Sequence, residues 1–279
     1  MRRRQFLTAI SAAAGGAPGA VRRWRSRARL SRIGLELYTV RDAMKADPEG
    51  TLAAVRAIGY TDVELLWSFE NFGRSPQQVR ASLRHLGLHA PSAHIAPEAL
   101  LTNWQESLDR ANFLGHQYLI VPSLPSDTRT SLTAWRAWAD HFNRAGESAR
   151  RSGIWLAFHN EPEHQSPIDG QIPYDLFIQQ TDPARVRLQL DVGNMILGGG
   201  DPHAYLAAHA ERYWSFHLKD VAADHRHDTE LGRGEFDFRR FLGAIRDLNR
   251  KPCYIEQEAA ANPILSAERS FRYLHALRF

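Results

Sequence analysis

The sequence predicts an α/β protein: a single (β/α)8 TIM barrel at 33–279, preceded by a basic N-terminal signal segment at 1–32. Three observations carry that prediction. First, a phrase recurs in which a helix-like stretch closes on glycine and a β-rich run follows: Gly59 before VELL, Gly87 before HAPSAHI, Gly115 before YLIVP and Gly153 before WLAFHN. Glycine takes the left-handed conformation that ends a helix at little cost. The steps from 59 to 87 and from 87 to 115 are both 28 residues, one βα unit each, so the chain repeats structurally. Second, successive apolar runs are separated by about one helix, the length a parallel crossover needs. Third, the 247 residues after position 32 approach the ~250 typical of an eight-fold barrel, and no Gly-, Pro- or Ser-rich linker divides them.

Taken in order, residues 33–38 read as the first strand, and Pro48–Ile58 as the first helix, with Asp47 as cap and Pro48 in the first turn. A short helix over 174–181 ends at Asp182-Pro183, and VRLQLDVGN supplies the sixth strand. Asp201-Pro202 opens a helix, RYWSFHLKD is the seventh strand, and 236–248 has helical periodicity. CYIEQ is the eighth strand, and 264–277 closes the chain with Leu265, Phe271, Leu274 and Leu277 at helical spacing. The longest irregular pieces, 161–173 and 221–236, both follow strands that carry polar ends, where loops of a barrel commonly form a pocket.

The N-terminal segment governs the charge balance. Residues 1–32 hold nine of the 35 Lys and Arg residues and no acid, which leaves 26 basic against 31 acidic residues in the body, a net charge of −5. The basic pI of about 9.4 therefore belongs to the tail. A net-negative body is a poor electrostatic partner for nucleic acid, and no nucleic-acid partner is expected. Arg3-Arg4 followed by Gln5-Phe6-Leu7, an Ala-rich run and Ala17-Pro18-Gly19-Ala20 resemble a twin-arginine export signal. A periplasmic or secreted location follows if the signal is used, a cytoplasmic one if it is not. One cysteine, Cys253, excludes an intrachain disulfide, and nothing after residue 32 has the ~18 uninterrupted apolar residues of a membrane span.

The polar residues at strand ends point to a cation. Asp191 ends one β-run and His217 the next, with a helix between them, and Glu256 interrupts the apolar run YIEQ, where an unpartnered carboxylate would be costly. Strand caps and core histidines account for each of these singly, but not for their coincidence on three consecutive strands. In WLAFHNE, alternation places His159 and Glu161 on one face, so either completes a divalent-metal shell. Mn²⁺, Mg²⁺, Co²⁺ and Zn²⁺ all remain open. Lys219 shares the face of His217, and Glu36, Glu64, Trp67 and His94 are further rim candidates, the first three as substrate contacts. Trp67, Phe69 and Phe72 together offer an apolar platform for a sugar face.

The motifs IGLELYTVRD, DPEGTLAAVRAIGY, PSAH, FHN, YDLFIQQTDP, LQLDVGN, HLKD, LGRGEFDF and YIEQE, in this order from Ile33 to Leu277, resemble the xylose-isomerase-like family of sugar phosphate isomerases/epimerases. The resemblance implies a TIM barrel and a divalent metal held by Glu, Asp, His and Glu from strands five to eight. Asp191, His217 and Glu256 match those positions. The fifth-strand position holds His159, as in the branch with an HNH strand, and that branch's second histidine is replaced by Glu161.

Such a site would act on a small-molecule sugar or keto-sugar by removing a proton beside a carbonyl through an enediolate. Glu161 and Glu256 are the expected proton carriers, with His94 or Lys219 facing the developing oxyanion. Proton return isomerises or epimerises, whereas loss of a β substituent makes a 3-keto-glycoside or inosose-type lyase or dehydratase. A non-catalytic sugar-binding barrel is the alternative from another class. A DNA-repair nuclease on this scaffold would need a basic groove, against the −5 body. A homo-oligomer is compatible with the sequence.

Overall fold

A computed structural model describes residues 28–279. Eight parallel strands close a barrel: β1 (Gly34–Glu36), β2 (Asp62–Leu66), β3 (His89–His94), β4 (Tyr118–Val121), β5 (Trp155–His159), β6 (Val186–Asp191), β7 (Tyr213–Leu218) and β8 (Cys253–Ile255). β1 pairs with both β2 and β8, which leaves the barrel without an edge. The outer ring consists of α1 (Pro48–Ile58), α2 (Pro76–Leu86), α3 (Trp104–Leu114), α4 (Leu132–Arg151), α5 (Pro173–Gln180), α6 (Pro202–Ala208), α7 (Phe238–Ala244) and α8 (Pro263–Ala276).

The local signals act as read. Asp47 accepts from the Gly50 amide at the start of α1, and Asp201 from the His203 amide at the start of α6. Gly87 and Gly115, which end α2 and α3, have φ of +64° and +79°, and a Cβ at either would meet nothing within 4 Å. Those two glycines are therefore required by backbone conformation rather than by space.

Some boundaries differ from expectation for identifiable reasons. The first strand stops at Glu36, because its carboxylate accepts from the Tyr38 amide and turns Leu37–Val40 into a 3-10 turn. The 236–248 helix shortens to Phe238–Ala244: Asp237 caps its start and the chain is already extended at Ile245. Of the expected tail, residues 28–32 pack onto the barrel: Leu30 is buried, Ala28 O accepts from Phe279 N, and Arg32 pairs with Asp62. The remainder of that tail, including Arg3-Arg4, lies outside the described residues.

Alternation divides each strand between two environments. Val186, Leu188 and Leu190 of β6 join the large apolar layer under the helices, whereas Gln189 and Asp191 join polar groups inside the barrel. A small apolar cluster of Tyr118, Ile120 and Ala157 fills the amino-terminal part of the interior. A register shift opposite Leu188/Gln189 lets Trp214 pack beside Trp155 there. The carboxyl-terminal part of the interior is polar.

Candidate metal centre

The β6–β7 unit brings Asp191 and His217 opposite one another in register, and β8 aligns Tyr254 with His217, so that Glu256 follows at the rim. His159 ends β5, the next strand round. His159, Asp191, His217 and Glu256 each offer a donor atom, and these four atoms lie within 4.8 Å of one another, all on buried residues. Three strands apart in sequence, they form one constellation at the carboxyl end of the barrel, where chemistry sits in this architecture.

Their environments are suited to ligands. His217 Nδ1 is 2.6 Å from Glu256 Oε2 and 3.8 Å from Asp191 Oδ2, while its Nε2 is 2.5 Å from Glu64 Oε2. Glu64 thus orients the ring from behind, as carboxylates commonly do for metal-binding imidazoles. Both ring nitrogens of His159 are buried without a hydrogen-bond partner, and so is Asp191 Oδ2, which Lys219 Nζ approaches at 3.0 Å only as an ion pair. Buried polar atoms are rarely left unpaired, and donors of this kind converging on one point fit a divalent cation.

The electrostatics separate the acids into two kinds. Burial alone would raise Asp191, but Lys219 and His159 bring it well below the usual carboxylate range. Burial likewise opposes ionisation of Glu256, and Lys219 and His217 overcome it. Glu161 differs: burial raises its carboxyl well above the ordinary value, only partly offset by Lys219. Burial holds His159 low, hence neutral and able to donate a lone pair, despite Asp191 nearby. Burial would lower Lys219, yet Asp191 and Glu256 raise it, so it is charged.

The expected residues do not all fall in one place. Glu161 lies beside the four donors rather than among them, 3.7 Å from His159 Nδ1, with its other oxygen receiving Asn194 Nδ2 at 2.9 Å. His94 sits one layer below, 3.1 Å from Gln189 Oε1 and 3.3 Å from Glu64 Oε2. Glu36 and Glu64 are fully buried under the cluster, 3.9 and 2.5 Å from His217 Nε2, so they support the histidine instead of lining an open wall. Burial and then Glu64 push the Glu36 carboxyl well up. Trp67 is apart from all of them: its indole donates to His116 Nε2 at 3.3 Å and lies under Arg110 of α3, between sheet and helix.

Sequence reasoning missed Asn194, Gln189 and Glu258. Asn194 Oδ1 receives Lys219 Nζ at 2.9 Å, which fixes its amide so that Nδ2 faces Glu161. Gly193 leaves room for the Lys219 stem, since a Cβ there would lie 2.5 Å from Lys219 Cγ. Glu258 Oε1 is 2.5 Å from the same ammonium. Two of the three were available from period two, because Gln189 shares a face with Asp191, and Glu258 with Glu256.

Comparisons with known proteins agree with this fold. The family described as xylose isomerase-like TIM barrel matches residues 52–277. Inosose dehydratase of Lacticaseibacillus casei is 29% identical over 163 residues, 51% of this chain and 54% of that protein, so the match spans about half the length of such relatives. A solved sugar phosphate isomerase/epimerase from Parabacteroides distasonis has the same fold, with a TM-score of 0.77 at 23% identity over 88% of this chain and 93% of that one. The IolI protein, solved with a binding zinc atom, has a TM-score of 0.67 at 11% identity, covering 86% of this chain and 95% of its own.

Proposed function

This chain belongs to the xylose isomerase-like TIM barrel family, and we propose that it is a metal-dependent sugar isomerase or epimerase that removes a proton from the carbon beside a ketone. The observation that carries this reading is the group of four buried donors from β5 to β8, with the His159 nitrogens and Asp191 Oδ2 making no hydrogen bond. His159, Asp191, His217 and Glu256 would hold the cation, with Glu161 at the edge of the shell. Once bound, it would act as a Lewis acid on the carbonyl and its neighbouring hydroxyl, acidifying the C–H between them.

The chain's own groups then divide the proton work. Glu256, whose carboxyl Lys219 and His217 hold low against burial, accepts the proton; Glu161, whose carboxyl burial pushes well up, returns one. Lys219, charged and fixed by Asp191 and Asn194, faces the oxyanion of the enediolate. His94, one layer down, steadies Glu64 and through it His217. Return to the neighbouring carbon isomerises, and return to the opposite face epimerises.

A second reading, elimination of a β-hydroxyl or β-glycosyl group, is supported by the relatives named inosose dehydratase and by Glu161, whose carboxyl burial pushes well up and which can then protonate a departing oxygen. Deuterium exchange from D₂O into ketoses, keto-glycosides and inososes with Mn²⁺ tests both. Exchange with retained skeleton marks the isomerase, exchange with loss of water or aglycone marks the lyase, and bound metal with no exchange in any substrate refutes proton abstraction and leaves a sugar-binding barrel. The Arg3-Arg4 pair supports export. Fractionation of cells expressing the full chain and its Arg3→Lys/Arg4→Lys variant tests it, and an unchanged distribution would remove that reading.

A further inference from the structure

Across the mouth from β5, the rim over β1 and β2 carries aromatic rings. Phe69 is 41% exposed, meets Tyr38 edge-on at 5.7 Å and stacks near Phe72 at 6.4 Å and 28°. The wall is continuous with the metal centre: Arg41 lies 4.3 Å over the Tyr38 ring and donates to Glu258 O, and Glu258 pairs with Lys219. The turn that holds it is strained. Glu70, Asn71 and Phe72, none of them glycine, have φ of +50°, +44° and +58°, a conformation that costs free energy at each residue and concentrates at ligand sites.

A second feature bears on the same substrate. Barrels of this type commonly hold phosphate groups in the loops after strands seven and eight, on free backbone amides. Here four of those amides are already bonded to carboxylates: Asp220 accepts from Gly232 and Gly234, and Asp228 from Glu258 and Ala259. The arginines beside them, Arg233 and Arg269, both pair with Glu230.

We infer that the substrate is an unphosphorylated glycoside, whose ring beyond the reacting ketone lies flat on Phe69 with Phe72 and Tyr38 behind it. This deepens the proposed function and rests on it for the reacting end. The apolar face of a pyranose or an aryl aglycone matches an exposed phenyl ring, and a phosphate would meet Asp220, Asp228 and Glu258.

Calorimetric titration of the Mn²⁺-loaded full chain with 4-nitrophenyl β-glucoside, glucose and glucose 6-phosphate tests this without turnover. The aryl glucoside is expected to bind about tenfold tighter than glucose, and the phosphate no tighter than glucose. Phe69→Ala should shrink the tenfold preference to about twofold or less, while Phe69→Trp keeps it. Equal binding of all three, tightest binding of the phosphate, or a preference that survives Phe69→Ala overturns the inference. So does a wild-type dimer that Phe69→Ala converts to monomers with the preference unchanged, since a second copy would then cover the ring. A ring preference without deuterium exchange in any substrate upholds the subsite while removing proton abstraction; exchange without a ring preference removes only the subsite.

Discussion

The two ends of the barrel are built from similar residue types and do opposite things with them. At the amino-terminal end, cations stack on aromatics: Arg150 lies 3.5 Å from the Trp155 ring, Arg187 sits 4.0 and 4.6 Å from Trp155 and Trp214, and Lys251 is 5.5 Å from Trp214. At the carboxyl-terminal end, imidazoles and carboxylates converge and leave the His159 nitrogens and Asp191 Oδ2 without a hydrogen bond. A cavity of about 540 Å³ is at the first end, bordered by Leu30, Arg32, Trp155, Trp214 and Lys251. What sets the carboxyl-terminal end apart is convergence: donor atoms from four neighbouring strands meet within 4.8 Å of one another there, and burying such lone pairs together is costly unless something binds them.

The comparison makes graded predictions. Asp191→Asn should break the carboxyl-terminal end outright: bound Mn²⁺, read by elemental analysis, should fall to background, and any deuterium exchange should drop at least about 10³-fold. Retention of stoichiometric metal would mean that the four donors are not its shell.

Acid should act at a different place. His116 donates its Nδ1–H to Ala90 O and accepts from Trp67 Nε1, so only the neutral ring satisfies both partners, and burial pushes it down to about 4. An unfolded histidine protonates near 6.5, so below that pH protons favour the unfolded chain. The stabilisation is complete above pH ~6.5 and is lost as the pH falls toward 4, by up to about 3 kcal/mol. Urea melts of wild type and His116→Gln across that range should differ in slope; parallel curves would contradict the assignment.

Glu64→Gln should weaken Mn²⁺ binding by about 10- to 100-fold without abolishing it, since the variant still reaches His217 but no longer as an anion. An unchanged affinity would show that Glu64 serves packing alone. The smallest effect is expected at the other end. Arg187→Met should cost about 1 kcal/mol in a denaturant melt through loss of two ring contacts, and leave Mn²⁺ affinity as it was. A matching loss of metal affinity would join two regions that are here held separate.

Much of the architecture was legible because it is written in local signals. Gly87 and Gly115 end helices wherever such a residue follows an amphipathic run, and Asp47-Pro48 starts one. Asp191, His217 and Glu256 were legible as a group, because polar residues closing three successive apolar runs have few structural explanations. Trp67 was not, since its two alternatives, facing the mouth or packing under α3, differ only in a rotation that sequence does not record. The same holds for Glu36 and Glu64: a carboxylate on a barrel strand reads alike whether it meets a substrate or a histidine.

By itself, then, the sequence determined the alternation of strands and helices, the end of the barrel where the polar residues gather, and three of the four donors, since periodicity and capping act within a few residues. Only the tertiary structure decided that His159 rather than Glu161 stands among the four, that Glu64 backs His217, and that Asn194 and Gly193 fix Lys219. Those outcomes depend on distances between residues up to 153 positions apart, set by how the closed sheet staggers its strands, which no local pattern encodes.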